Sequence, residues 1–425
     1  GGQRWFHLYP DESVTYDDEL HWTGRSQNWN FMCADCHSTD LRKNYAPASN
    51  TFETSWAEVT VGCEACHGPG SIHVAYAEAD TDATSSLTDA LQTQAGQVDT
   101  CAKCHARRGI LAEGFEPGDA FLDYYRPSLL DEGLYHADGQ ILDEVYVYGS
   151  FLQSKMHQRG VRCTDCHNPH SAELEVGGNG TCTVCHQAEP PARFPTLDVK
   201  VYDHPDHHFH EPGTDGAQCV NCHMAEKLYM VVDGRRDHSF RIPRPDLAAA
   251  TGAPNACNDC HTDMDAAWAA AEIDRRFPGE RPDHYGEAIA AGQRGNADAP
   301  TMLARLAADQ EAPPIVRGTA LSLLASRIDD RSISALRAGL GDGEPLVRLG
   351  ALAGVDGLPV EQRWALANHL LADPLLAIRA DAAVSLAPML QRDLRQSDME
   401  RLRAALDDYI KTQRLNADRQ ARGEE

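Results

Sequence analysis

The sequence predicts a mainly α chain in two parts, and two observations carry that prediction. All 14 cysteines fall before residue 265, in seven copies of one pentad, among segments with little regular secondary-structure pattern. Beyond residue 265 cysteine ceases, Ala and Leu dominate, and a 31-residue period appears. We therefore expect one domain over 1–265, an α-solenoid of helical hairpins over 266–396, and a charged helix over 397–425.

The pentad reads Cys-x-x-Cys-His. Its cysteine pairs are Cys33/Cys36, Cys63/Cys66, Cys101/Cys104, Cys163/Cys166, Cys182/Cys185, Cys219/Cys222 and Cys257/Cys260. The histidines that follow are His37, His67, His105, His167, His186, His223 and His261. This spacing is the attachment signal for c-type haem. Two thiols add across the porphyrin vinyl groups, and the next residue gives iron its proximal imidazole. Zinc ribbons need thiolates in sets of four with no fixed trailing His. A thioredoxin-type pair would occur once, near a βαβ pattern. Disulfides would not explain seven identical histidines. The first domain is therefore expected to be a heptahaem cytochrome c domain.

Composition narrows the setting. No apolar run approaches the ~20 residues of a membrane span. The net charge is −26, which disfavours nucleic acid and anionic lipid and suits basic redox partners. An acidic surface also keeps a secreted protein in solution. The chain begins at Gly1 with no initiator Met or signal peptide. Haem attachment takes place outside the cytoplasm, so an upstream secretory signal and a periplasmic or extracellular location are expected.

Taken in order, residues 1–32 hold Trp5, Phe6, Trp22, Trp29 and Phe31, aromatics suited to flat apolar porphyrin faces. His7 and His21 are candidate sixth ligands. After motif two, Gly68-Pro69-Gly70 turns the chain, so His73 serves a neighbouring haem rather than its own. Residues 78–100 read as a polar surface excursion.

The longest gap, 62 residues from Cys101 to Cys163, is the place for packing or for a substrate pocket. It holds Phe121 to Pro127, a short strand expected over Ile141 to Tyr148, and His136 in a turn. Motifs four and five lie only 19 residues apart, which favours two haems in near contact. Asn168-Pro169 breaks any helix and lets His170 swing towards another haem.

The Pro-rich stretch 187–218 carries His204, His207, His208 and His210. It invites a zinc reading, but with seven irons to fill, one or two of these histidines are expected as haem ligands and at least one as a bystander. His238 is a further distal candidate. Arg235, Arg236, Arg241 and Arg244 suit haem propionates, because a guanidinium fork matches a carboxylate.

In the second part, Ile315-Val316-Arg317, Leu346-Val347-Arg348 and Ala377-Ile378-Arg379 repeat, each preceded by Pro314, Pro345 or Pro374. Ala and Leu at helical spacing follow, the pattern of stacked helical hairpins. Such an array binds partners on a concave face or braces a neighbouring domain.

The runs Gly2 to Pro10, His21-Trp22-Thr23-Gly24, Gln27-Asn28-Trp29-Asn30, Cys63 to Gly70 and Asp237-His238-Ser239-Phe240 resemble the broad superfamily of hydroxylamine-oxidoreductase-like and related tetrahaem cytochromes c. The resemblance spans about residues 1–270. It implies electron transfer, a further haem motif upstream, and HEAT-like repeats followed by tetratricopeptide repeats downstream. Tyr409 to Ala417 resembles the lead-in to the latter.

The expected role is an electron conduit through seven covalently bound haem c groups, most of them bis-His. The distal candidates are His21, His73, His136, His170, His207, His208, His210, His238 and His7. Redox proteins are the expected partners, through a basic surface or the helical repeats, and the units can also self-assemble into a conducting filament. The rival is an oxidoreductase of nitrite, hydroxylamine or a sulfur oxyanion at one open haem. No Cys-x-x-Cys-Lys marks such a haem, and no catalytic residue stands out.

Overall fold

Each pentad is too short to build a fold by itself, so its geometry depends on what its neighbours bury. The computed structural model describes residues 6–7, 10–79 and 89–419. Trp5, most of the run Gly2 to Pro10, and residues 80–88 of the expected surface excursion lie outside these. The described structure is mainly α, with four two-stranded antiparallel sheets. Its contacts group into two units, residues 1–128 with 358–425, and residues 129–357. Composition and contacts thus divide the chain at different places.

The first unit holds motifs one to three. Motif three ends the helix Gln94–His105, which Thr93 caps by accepting from the Gly96 N–H. This helix buries Gln97, Val98 and Ala102, so the end of the expected surface excursion is instead a packed helix. The polar pattern hid it because Gln97, Thr100 and Lys103 are themselves buried there. The strand Arg108–Ile110 pairs with Tyr125–Pro127. Phe121, Leu122 and Tyr125 are buried, so this part of the long gap is core.

The last helices pack into the same unit. Helix Leu376–Leu386 lies against the charged helix Gln396–Leu415. Thr412 Oγ1 donates to the Leu111 carbonyl at 2.9 Å, and Asn416 Nδ2 to the Ile110 carbonyl at 2.8 Å. The Leu376 N–H donates to Asp123 Oδ1 at 2.8 Å, and Arg126 Nε grips both oxygens of Asp381 at 3.0 and 2.8 Å.

The second unit holds motifs four to seven and the helices between Ala266 and Val355. Helices Pro314–Leu323 and Pro345–Val355 begin with proline at their first turn, where its missing N–H costs nothing. They pack closely. A Cβ on Gly350 would lie 2.0 Å from the Gly318 carbonyl oxygen, so only glycine fits. The Leu130 N–H donates to Thr319 Oγ1 at 3.0 Å, tying the long gap to these helices. The strand expected over Ile141 to Tyr148 does not form. Ile141 makes one isolated bridge to Tyr135, Tyr146 has a φ of 60°, and a helix begins at Tyr148. A residue in the left-handed region ends an extended run.

Candidate haem-binding sites

The pentad folds as one helical turn. The N–H of the motif histidine donates to the carbonyl of the first cysteine at 2.9 Å for His37, 3.0 Å for His67, 2.9 Å for His186 and 2.8 Å for His261. That turn sets both thiols and the imidazole on one side. Motif four departs from it, because His167 enters a strand with Asn168 that pairs with Glu173–Leu174. No disulfide joins any of the 14 cysteines.

His167, His223 and His261 each face a second histidine. His167 and His238 have ring centroids 6.2 Å apart with planes at 27°. His223 and His207 are 6.2 Å apart at 2°, and His261 and His210 are 6.2 Å apart at 36°. Two imidazoles bound trans to one metal, each at about 2.0–2.1 Å through a ring nitrogen, put their centroids roughly 6 Å apart. These three pairs therefore have the span of a bis-imidazole metal site and fit haem iron.

Hydrogen bonds orient three of these six rings. His223 Nδ1 lies 2.5 Å from the Arg241 carbonyl, His238 Nδ1 lies 2.8 Å from the Arg236 carbonyl, and His210 Nδ1 lies 2.5 Å from the His208 carbonyl. A carbonyl only accepts, so each Nδ1 carries the proton and Nε2 keeps the lone pair a metal needs. The Arg241 N–H also donates back to the His223 carbonyl at 3.0 Å.

The histidine-rich stretch divides by local geometry. Pro205–His208 is a single helical turn, and Phe209 then takes a left-handed φ of 60°. The change of direction sends His207 to motif six and His210 to motif seven. His204 Nδ1 instead accepts from the Asp206 N–H, capping the turn. His208 Nδ1 accepts from the His210 N–H at 3.2 Å. Among the described residues, no group of three or more His, Cys, Asp or Glu is arranged to hold a metal ion alone.

The other candidates have different surroundings. His21 Nδ1 pairs with Thr23 Oγ1 at 2.8 Å. His73 is exposed on the helix Ser71–Glu78. The His170 N–H donates to Asn168 Oδ1 at 3.0 Å, and His7 is exposed. His136 closes a turn, its N–H donating to the Gln140 carbonyl at 2.8 Å, and burial lowers its pKa.

Each of the four arginines expected near propionates lies beside a protein carboxylate. Arg235 pairs with Glu144 at 2.7 Å and Arg236 with Glu226 at 3.2 Å. Arg244 pairs with Asp246 at 2.8 Å, and Arg241 lies 3.9 Å from Asp138 and 3.8 Å from Asp237. With Arg244, His284 and Asn255, Arg241 and Asp138 line a cleft beside His223.

Thiols of different motifs come close within each unit. The side chains of Cys36 and Cys104 neighbour each other, as do those of Cys182 and Cys219. Cys166 lies near Cys185, and Cys222 near Cys257 and Cys260. In the second unit the motifs thus neighbour one another in chain order, four to seven. Tyr202 and Phe277, which the sequence did not single out, both pack on His207, and Tyr202 also meets His186 of motif five at 5.6 Å. No motif marks them; only their contacts do.

Comparison with known proteins agrees in kind. Residues 6–68 match the family model for cytochrome c554 and c-prime. That segment contains the first two pentads, and with the repeated motif it supports a c-type cytochrome that binds haem c covalently. No curated protein matches the chain. Among solved structures, the outer cell wall cytochrome OcwA is similar at 17% identity and a TM-score of 0.41, over 78% of this chain and 76% of that one.

Proposed function

We propose that this chain carries electrons along closely spaced, mostly bis-His haems between periplasmic or extracellular redox partners. The observation that carries the reading is the common 6.2 Å span of the pairs His167/His238, His223/His207 and His261/His210. The 14 motif cysteines would hold seven haems covalently, and the seven motif histidines would supply the proximal ligands. His238, His207 and His210 would be distal ligands to motifs four, six and seven.

When bound, haem supplies a one-electron ferrous/ferric couple, and two histidines on one iron leave no position for substrate. The chain does the rest. The carbonyls of Arg236, Arg241 and His208 hold a proton on Nδ1 and raise ligand basicity. The cysteine contacts between neighbouring motifs bring successive porphyrin attachment edges together, which favours short steps. The helices over 266–396 are read as HEAT-like repeats, because three of them start at the repeat spacing. Their contacts with motif-bearing segments in both units favour bracing. The acidic chain suits basic redox partners, and copies of it can assemble end to end. Secretion follows from the chemistry of haem attachment; no helix among the described residues is long and apolar enough to cross a membrane.

The test is spectroscopy and mass measurement on the purified holoprotein. Seven attached haems, all low-spin and inert to carbon monoxide at the three paired sites, are expected. A high-spin haem at one of those sites, with turnover of nitrite or hydroxylamine, would replace the conduit with an enzyme.

A further inference from the structure

His207 is held differently from its counterparts. His223, His238 and His210 each direct Nδ1 at a backbone carbonyl. His207 Nδ1 is buried and has no hydrogen-bond partner in the protein. Yet its ring is the one most nearly parallel to its opposite, at 2°. The torsion that spins an imidazole about its Cβ–Cγ bond is broad, so something other than a hydrogen bond must select this angle.

Aromatic edges supply it. Tyr202 meets His207 with centroids 5.0 Å apart and planes at 88°, and Phe277 meets it at 6.1 Å and 67°. Edge-to-face contact is a preferred arrangement of such rings. Tyr202 has a second perpendicular contact, with His186 of motif five, at 5.6 Å and 85°. It therefore stands between the proximal histidine of one motif and the histidine facing the next. Lys200 Nζ, 5.4 Å from the Tyr202 ring centroid, and 5.9 Å from that of Phe277, covers the cluster.

We propose that Tyr202 is a positioning residue that fixes the His207 imidazole plane parallel to that of His223 and ties it to His186, so that the ligands of motifs five and six are set as one unit. The proposal rests on the bis-His reading of motif six. Aromatic packing takes the part that a carbonyl plays at the other two pairs. Parallel imidazoles split the iron orbitals that point between the ligands, and give a rhombic low-spin spectrum. Twisted imidazoles let these orbitals approach degeneracy.

The experiment is low-temperature electron paramagnetic resonance on the oxidised full-chain holoprotein, with haem content measured alongside. In Tyr202→Leu, one rhombic low-spin signal, about one seventh of the low-spin total for seven motifs, is expected to vanish in favour of a large-g form, with haem content unchanged. Tyr202→Phe keeps the ring edge and should keep the wild-type spectrum. If the Leu variant loses haem or fails to fold, Tyr202→Met, which keeps bulk without a ring, is measured in its place with the same expectation. A non-aromatic variant with full haem content and an unaltered spectrum overturns the proposal. Failure of the underlying reading looks different: His207→Ala would then leave every haem low-spin.

Discussion

The rings of His207 and His223 lie parallel within 2°, with centroids 6.2 Å apart. That gap matches two imidazoles bound trans to one metal. If both bind one iron, His207→Ala converts about one haem in seven from low-spin to high-spin and opens it to carbon monoxide. The carbon monoxide difference spectrum of the reduced protein measures this. An unchanged spectrum would remove His207 from the ligand set.

Lys43 and Asp418 form a buried ion pair at 2.6 Å, with side chains only 5% and 2% exposed. Removing one partner of such a pair leaves an uncompensated buried charge, at a cost of about 3–5 kcal/mol. Lys43→Met should therefore destabilise the first unit by about that much, and Lys43→Met with Asp418→Leu by clearly less. Thermal unfolding followed by circular dichroism gives both values. A loss under about 1 kcal/mol for the single variant would mean that the pair is solvated.

Asp99 has its pKa raised to about 6 by burial, opposed by the Phe121 N–H that donates to it. The folded state thus holds this proton more tightly than the unfolded chain, whose carboxyl titrates near ~3.9. Stability is greatest below that value, falls as pH rises towards 6, and is flat above. Asp99→Asn should raise stability at pH 7 by up to about 3 kcal/mol and change it little at pH 3.5. Melting temperature against pH reads the difference. Equal curves for the two proteins would show that the carboxylate is paid no burial penalty.

Gly350 meets the Gly318 backbone where helices Pro314–Leu323 and Pro345–Val355 touch. A methyl group there has nowhere to go, because the obstacle is backbone. Gly350→Ala should cost about 1–3 kcal/mol. Gly343→Ala, on the same stretch but with open space around its Cβ position, serves as the control in chemical denaturation.

Some of the fold was legible because its rules are local. Proline and the recurring Ala/Leu pattern marked helices Pro314–Leu323 and Pro345–Val355, and the charged run marked Gln396–Leu415. The reading failed where tertiary contacts overrode local pattern. Helix Gln94–His105 hides a buried face in a polar sequence, and Tyr146 bends a stretch that alternates like a strand.

The sequence by itself marked the seven Cys-x-x-Cys-His motifs, because covalent haem attachment needs two thiols and an imidazole at a fixed local spacing. Only the tertiary structure decided which histidine faces which motif. The paired residues are 16, 71 and 51 positions apart for His207/His223, His167/His238 and His210/His261. No local pattern encodes contacts across such distances; burial and loop closure select them. Within the four-histidine stretch, the choice fell to one left-handed residue, Phe209, which turns His207 and His210 towards different partners.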